Sequence, residues 1–429
     1  MKKCIVIGGG IAGLTAASYL VNDGTKVTLL ESSPKLGGRA YSFKLPGKNE
    51  TIDNGQHILM GCYRDTLSFL KLIGADKNFS FQKRLSITFI NPAGQKLKLK
   101  SLPIPYPLNL LTGFLKYKAL NFKERLKVIK LMLKLPFISH RSLVKKNVFE
   151  WLTDENQSEK IINSFWEMIA VGALNTNINK ASAAVFHNIL VQMFYGGNIA
   201  STIILPKYGL TESYVNNAKD YIEQQGGEVI LSDKVEKIVI DQNEVKEIKT
   251  AKRIYSDFDF VISALPPYSI EKLIPSGYLN GEINFTYSSI LNVHIWLKKN
   301  PFNEKFYGLL NSPVHWIFNK GTLINLVISN AGYLMDKTDN ELLNVCTTEL
   351  NKYCNIDENE ITDFKILKEK RATFIPSVDS VYTRPPSRTE INNLFLAGDW
   401  TDTGLPSTIE SAAKSGRVAS ELALGNIQT

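Results

Sequence analysis

Gly8, Gly10 and Gly13 stand in a Gly-x-Gly-x-x-Gly spacing between the apolar run "CIVI" and a helix-like stretch containing Ala16 and Ala17. Each glycine has its own task. Gly8 permits a tight turn, Gly10 lets backbone approach a pyrophosphate, and Gly13 lets helix lie close on strand, so that phosphates sit at the helix N-terminus. Glu31 ends a second apolar run, "KVTLL", eighteen residues after Gly13, where an acid accepts hydrogen bonds from ribose hydroxyls. An acid there disfavours a 2′-phosphate. The pattern predicts a dinucleotide site, with NAD and FAD both open at this point.

Gly38 and Arg39, in "LGGRAYSF", follow directly. They offer a backbone turn and a cation for a second contact with a pyrophosphate; the plain alternative is a Gly-Gly loop with a solvated arginine. No second Gly-x-Gly-x-x-Gly appears, which disfavours reductases with separate FAD and NAD(P) folds. At the other end, "NNLFLAGDW" reads as a strand ending at Gly398-Asp399, and "STIESAAKSGRVASELAL" as a helix capped by Ser407 or Thr408. An acid at a strand end suits ribityl hydroxyls. A helix start at Thr408 and Ile409 suits negative charge on the pyrimidine edge of a reduced flavin. The alternative is a last strand and helix that only complete the sheet.

The elements that must hold these residues read as an α/β, Rossmann-type domain. "EVILSDKVEKIVI" and "DFDFVISALPP" supply further strands. The chain of 429 residues, 44% hydrophobic and 21% charged, can bury a large core and suggests two or three domains. Four cysteines and five histidines form no metal-binding or disulfide spacing, in keeping with a reducing cytosol. The N-terminal stretch has the look of a signal peptide but makes a better strand, turn and helix. No run of eighteen apolar residues follows, so nothing reads as membrane-spanning.

The net charge of +9 is concentrated. Residues 116–146 hold ten Lys and Arg against Glu124 alone, which accounts for the whole excess. Within them Phe122, Leu126, Ile129 and Leu133 form one helical stripe, extended by Val128, Met132 and Leu135. Lys123, Lys127, Lys130 and Lys134 oppose it. Two readings stand: a core helix with a solvated lysine edge, or an interfacial helix on an anionic membrane beside the apolar lip "LPIPYPLNLLTGFL". Few aromatics and no recognised module argue against nucleic acid.

Together, "GGR", "DNGQHILMGCYRDTLSFLKLIGA", "FWEMIAVGALNTNINKASAAVF", "ILPKYGL", "ISALPP" and "LAGDWTDTGLPSTIESAAKSG" resemble the hydroxysqualene dehydroxylases, within the amine oxidase and phytoene desaturase flavoproteins. The chain departs from them at Glu410-Ser411, often Glu-Gly, and at Asn175 to Asn177, commonly Asn-Thr-Pro. The resemblance implies a discontinuous FAD domain (1–85, 205–275, 385–429) interleaved with an α+β substrate domain (86–204, 276–384). It implies non-covalent FAD at the residues above and also at Gly55, Gln56, His57 and the backbone around Val235. It implies hydride delivery from reduced FAD to an apolar polyprenyl substrate, hydroxysqualene, as its hydroxyl leaves as water. That step needs a proton source: His57 is the first candidate, with Asp53, Glu167 and Glu410 as rivals, while His57 also reads as a structural hydrogen bonder lining the flavin. Phe165 and Trp166 read as tunnel or core packing. A true amine oxidase is disfavoured, since its flavin-side lysine falls at Asn292 and its cage tyrosine at Thr408. A phytoene-type desaturase and a non-catalytic prenyl-binding escort are the rival readings. The expected location is cytoplasmic, or peripheral on the inner membrane face; the electron donor is unassigned.

Overall fold

The computed structural model describes residues 1–48, 50–279 and 283–426. The expected segments 1–85, 276–384 and 385–429 thus include residues 49, 280–282 and 427–429, which lie outside the described ones. Strand β1 (Lys3–Ile7) occupies the middle of a five-stranded sheet. Its order is Glu228–Ile230, β2 (Lys26–Leu30), β1, Phe260–Ser263 and Leu394–Leu396, all parallel. The apolar runs follow from this placement, because parallel strands covered on both faces cannot alternate with polar residues.

Helix α1 (Ile11–Asn22) buries Ala16 and Ala17 completely. It packs against the C-terminal helix (Ile409–Leu424), and the crossing is tight: a Cβ on Gly416 would collide with the Ala12 carbonyl oxygen. The two ends of the chain therefore share one core.

A seven-stranded sheet forms the second layer, in the order Ile361–Phe374, Tyr287–Leu297, Leu323–Ile328, Trp316–Lys320, Phe306–Leu309, Ser86–Ile90, Lys96–Lys100. Alternation gives it two different faces. One is aliphatic, with Leu291, Val293, Ile295, Ile324 and Leu326 packed with Leu342, Cys346 and Leu350 of the helix Asp339–Cys354. The other carries Ile290, Phe306, Trp316, Phe318 and Val327, which meet Ile58, Met60, Ile203 and Leu205.

A helical segment completes the fold around Phe114, Trp151, Phe165, Trp166 and Phe186. Phe165 and Trp166 are core rings 4.7 Å apart, and Trp166 Nε1 donates to Gln157 Oε1 at 2.9 Å. The basic helix spans Phe122–Lys134, started by a capping box between Asn121 and Glu124. Its inward residues are Val128, Leu131 and Met132. Phe122, Leu126 and Leu133 are exposed while Val128, Met132 and Leu135 are buried, so the apolar stripe divides between an outward edge and the core. Its inner face joins the neighbouring helical core, as does Leu135 just beyond its end. Among the described residues no helix is long and apolar enough to cross a membrane.

Candidate functional site

The first turn is built as its glycines require. Gly8 has φ of 106° and accepts a left-handed conformation, while a Cβ on Gly13 would strike the Gly8 carbonyl oxygen. Gly10 caps α1 with no side-chain bond over the helix start. A Cβ on Gly10 would meet only the Gly38 Cα, at 4.0 Å, so the first NH groups of α1 are left open to a ligand. Gly38 itself has φ of 60° and lies against Gly10, with Gly10 and Gly37 bridged.

Glu31 stands at the end of β2 with both carboxylate oxygens oriented. Oε2 accepts from the Gly9 N–H and Oε1 from the Ser33 N–H, each at 2.7 Å. Oε1 also accepts from the Ser32 hydroxyl at 3.2 Å, while Oε2 keeps a lone pair for a further donor. The Asp233 N–H donates to the Glu31 carbonyl at 3.0 Å, which sets the Val235 backbone two residues beyond the acid. Arg39 is no freely solvated cation: its Nη2 donates to Asp399 Oδ1 at 2.6 Å and its Nη1 to the Ala372 carbonyl at 2.6 Å. The Asp399 side chain is 9% exposed and that of Arg39 45%, so the pair opens on its arginine side. Ser407 also donates to Asp399. Thr408 caps the C-terminal helix, accepting from the Ser411 N–H at 3.2 Å. The Ile409 side chain packs beside Ile11 and Leu59, leaving its backbone at the helix start. These residues fit a dinucleotide whose phosphates meet α1 and whose far end meets Asp399 and Thr408.

One buried arginine absent from the sequence reading holds that far end together. Arg384, 6% exposed, donates to the carbonyls of Leu405 (2.6 Å), Asp399 (3.0 Å), Trp400 (3.3 Å) and Thr401, and to Thr403 Oγ1 (3.0 Å). Ser411 fills the place where relatives of the motif often carry glycine, donating to the Asp399 carbonyl at 3.1 Å. Gly398, at φ of 156°, turns the chain into Asp399.

The loop Gly55–His57 lies beside these groups, with Asn54 Nδ2 donating to the Arg39 carbonyl at 3.2 Å. The four candidate proton sources differ in their surroundings. Burial pushes the His57 imidazole down to about 4 against the opposing charge of Asp53, with smaller contributions from Arg39 and Lys320, so the ring is neutral at neutral pH. It does not hold a proton ready as imidazolium. Asp53 is buried but ionised: Lys320 donates to Oδ2 at 2.6 Å, and Ser42 and Leu210 donate to Oδ1 at 2.7 and 3.0 Å, holding its pKa below the ordinary value. Glu410 has its pKa raised by burial, yet its oxygens accept from the Asp65 N–H, the Thr66 N–H and the Thr66 hydroxyl. It caps the N-terminus of α2 (Arg64–Leu72) from another helix. Glu167, half-buried on the helix Glu167–Leu174, has its pKa raised by burial alone.

Asn292, expected at the lysine position of an amine oxidase, does sit against this loop. Its Oδ1 accepts from the Gln56 N–H at 3.3 Å. Asn175, in the "ALNT" block, is a structural residue: it ends its helix at φ of 47°, donates to Thr373 Oγ1 at 3.0 Å and accepts from the Asn330 N–H at 2.7 Å.

Acid should destabilise the flavin-free protein in two stages. His57, His294 and His315 are all pushed down to about 4 by burial. The unfolded rings bind protons near pH 6.5, so between 6.5 and 4 the unfolded chain is the more protonated, and stability is lost as pH falls. For the fully buried His294, near the charges of Lys320 and Asp53, this is at most about 3 kcal/mol. Asp53, whose folded pKa is depressed, contributes stability that is lost only as pH falls below the ordinary carboxylate range. Urea denaturation from pH 7 to pH 4.5 checks the first stage, which His294→Leu should flatten.

Solved structures share the architecture: an oxidoreductase from Methanosarcina mazei matches with a TM-score of 0.74 at 17% identity, over 98% of this chain and 100% of that one. The hydroxysqualene dehydroxylase of Zymomonas mobilis is 29% identical over 99% of this chain and 100% of its own. The 15-cis-phytoene desaturase of Arabidopsis thaliana is 23% identical over 98% of this chain and 79% of its own. With the model of the flavin containing amine oxidoreductases matching residues 11–424, the chain belongs to that family.

Proposed function

We propose that this FAD-dependent oxidoreductase reduces hydroxysqualene to squalene with loss of water. The observation that carries the reading is the end-to-end likeness, at 26–29% identity, to three hydroxysqualene dehydroxylases. When bound in its reduced form the flavin supplies the hydride. The chain's own residues have three tasks. Glu31, Arg39, Asp399 and the two open helix starts bind and orient the cofactor. The apolar wall of Ile58, Met60, Ile203, Leu205, Phe306 and Phe318 is packed core beside the loop, which keeps water away and is apolar as a polyprenyl substrate requires. A proton must reach the departing hydroxyl oxygen, and we assign its delivery to the N–H of neutral His57, next to Gln56 in the loop.

Photoreducing the purified protein without oxygen and adding hydroxysqualene in detergent tests the reading. Reoxidation of the flavin with stoichiometric squalene is the expected result. A flavin that ignores hydroxysqualene but is bleached, when oxidised, by phytoene would move the assignment to the desaturases that match less closely.

A membrane-borne substrate would be met by the basic helix. Leu108, Phe122, Leu126, Leu133 and Phe137 are exposed among lysines, a combination suited to an anionic lipid surface. Phe122→Ser with Leu126→Ser and Leu133→Ser should cut co-sedimentation with phosphatidylglycerol vesicles by about tenfold, and added salt should weaken the wild type's binding. Unchanged sedimentation of the triple variant would exclude this face.

A further inference from the structure

The face of the seven-stranded sheet that bears the apolar wall is interrupted by a polar island. Asn292 and His294 alternate on Tyr287–Leu297, and His294 lies directly opposite Asn325 on Leu323–Ile328. Lys320 belongs to the same face, two residues beyond Phe318, the partner of Asn325. His294 and Asn325 are wholly inaccessible and Asn292 is 2% exposed.

These groups are poorly satisfied by one another. Both His294 ring nitrogens, Asn325 Oδ1 and Gln56 Oε1 have no hydrogen-bond partner among the described residues. The Asp53 carbonyl is near enough to His294 to favour its protonated form slightly, but no ring nitrogen reaches bonding geometry with it. Asn325 Nδ2 reaches Asn292 Oδ1 only at 3.4 Å. Buried polar atoms of this kind are ordinarily met by an internal water with several polar partners. The island also has two outlets. On one side Lys320, 29% exposed, joins solvent to Asp53, 1% exposed. On the other, Gln56 leads to His57, whose ring lies within reach of the charges of Asp53, Arg39 and Lys320.

We infer that Asn292, His294, Asn325 and Gln56 form a built internal water site that relays protons from the Lys320–Asp53 pair to the Gly55–His57 loop. His294 accepts a proton on one nitrogen and releases the one on the other, both nitrogens being buried without a partner among the described residues. The final transfer rests on the proposed reductive function: the carbon–oxygen bond breaks, the relayed proton joins the departing oxygen to make water, and the carbon takes the hydride of the reduced cofactor. Solvent restores the proton through Lys320. His294 is thus a positioning and relay residue, not one that touches substrate.

Two measurements on the FAD-loaded protein test this. A high-resolution crystal structure should show a water about 3 Å from a His294 ring nitrogen and from Asn325 Oδ1; a His294 bonded directly to another residue, with no such water, overturns the site. Anaerobic single turnover with hydroxysqualene, in H2O and in D2O, should show His294→Leu slowed about tenfold or more with a larger solvent isotope effect, its flavin content and neutral-pH melting temperature unchanged, and His294→Gln in between. An unaltered rate, or a loss that only follows lost flavin, overturns the relay. If the wild type leaves hydroxysqualene untouched, the reductive reading fails and the relay to its hydroxyl falls with it, while the water site is decided by the crystal structure.

Discussion

Replacing Arg384 with alanine is expected to strip the protein of flavin and to lower its stability by about 4 kcal/mol. The guanidinium is buried among the carbonyls of Asp399, Trp400, Thr401 and Leu405 and the hydroxyl of Thr403, and lies 5.0 Å from the Phe374 ring centroid. Burial pulls its pKa down to about 10, with Asp402 and Asp399 opposing, so it remains charged at neutral pH. Truncation leaves several buried acceptors unmet, at about 1–3 kcal/mol each before water enters. The turn it organises carries Asp399 and leads to the Thr408 cap, so the cofactor's affinity should fall with it. Arg384→Lys should rescue little, because one ammonium cannot span acceptors arranged around a planar fork. Flavin absorbance after gel filtration and urea denaturation read both effects. Arg388→Ala, at an exposed arginine four residues on, is the control and should leave both unchanged. Retained flavin in Arg384→Ala would show that the turn is held by its own backbone.

Gly13→Ala should have a comparable effect at the other end of the cofactor. A Cβ there meets the backbone oxygen of Gly8, which cannot swing aside as a side chain would, and also the Ala264 Cβ at 3.2 Å. Either α1 lifts from β1 or the turn at Gly8 opens, and both move the NH groups that face the pyrophosphate. Overpacking against backbone costs about 3 kcal/mol, and a comparable loss of binding energy corresponds to roughly a 100-fold weaker flavin. Gly24→Ala is an instructive contrast. Gly24, unlike Gly13, has a positive φ, of 78°, but open space around its Cβ, so that substitution should cost about 1 kcal/mol and leave flavin binding intact. Equal flavin loss in the two variants would mean that strain in the nucleotide domain, not the shape of the first turn, controls binding.

The features legible in the sequence were those enforced over a few residues. Gly8, Gly10 and Gly13 declare their turn because only glycine accepts the dihedrals and close contacts between one strand and the next helix. Glu31 follows at the end of β2, and spacing narrows the cap of the last helix to Ser407 or Thr408, of which the structure uses Thr408. The strands of the parallel sheet announce themselves by unbroken apolar runs, since neither face meets water.

Tertiary structure decided what depends on which distant segments meet. Arg39 and Asp399 are 360 residues apart, and Asp53 and Lys320 are 267 apart; no local pattern marks a charge as belonging to a distant partner. Arg384 looked like any loop arginine until the turn folded around it. Glu410 carried the right chemistry for an acid, and only the arrival of α2 at its side chain converted it into a cap. His294 and Asn325 lie in apolar strands where alternation tells that they share a face but not what covers it. The basic helix illustrates the same limit: its periodicity separated apolar residues from lysines, and the packing of its neighbours decided which of the apolar residues would be buried. Helix caps and glycine turns are set by short-range sterics, whereas burial, ionisation and pairing are set by the whole assembly of elements around a residue.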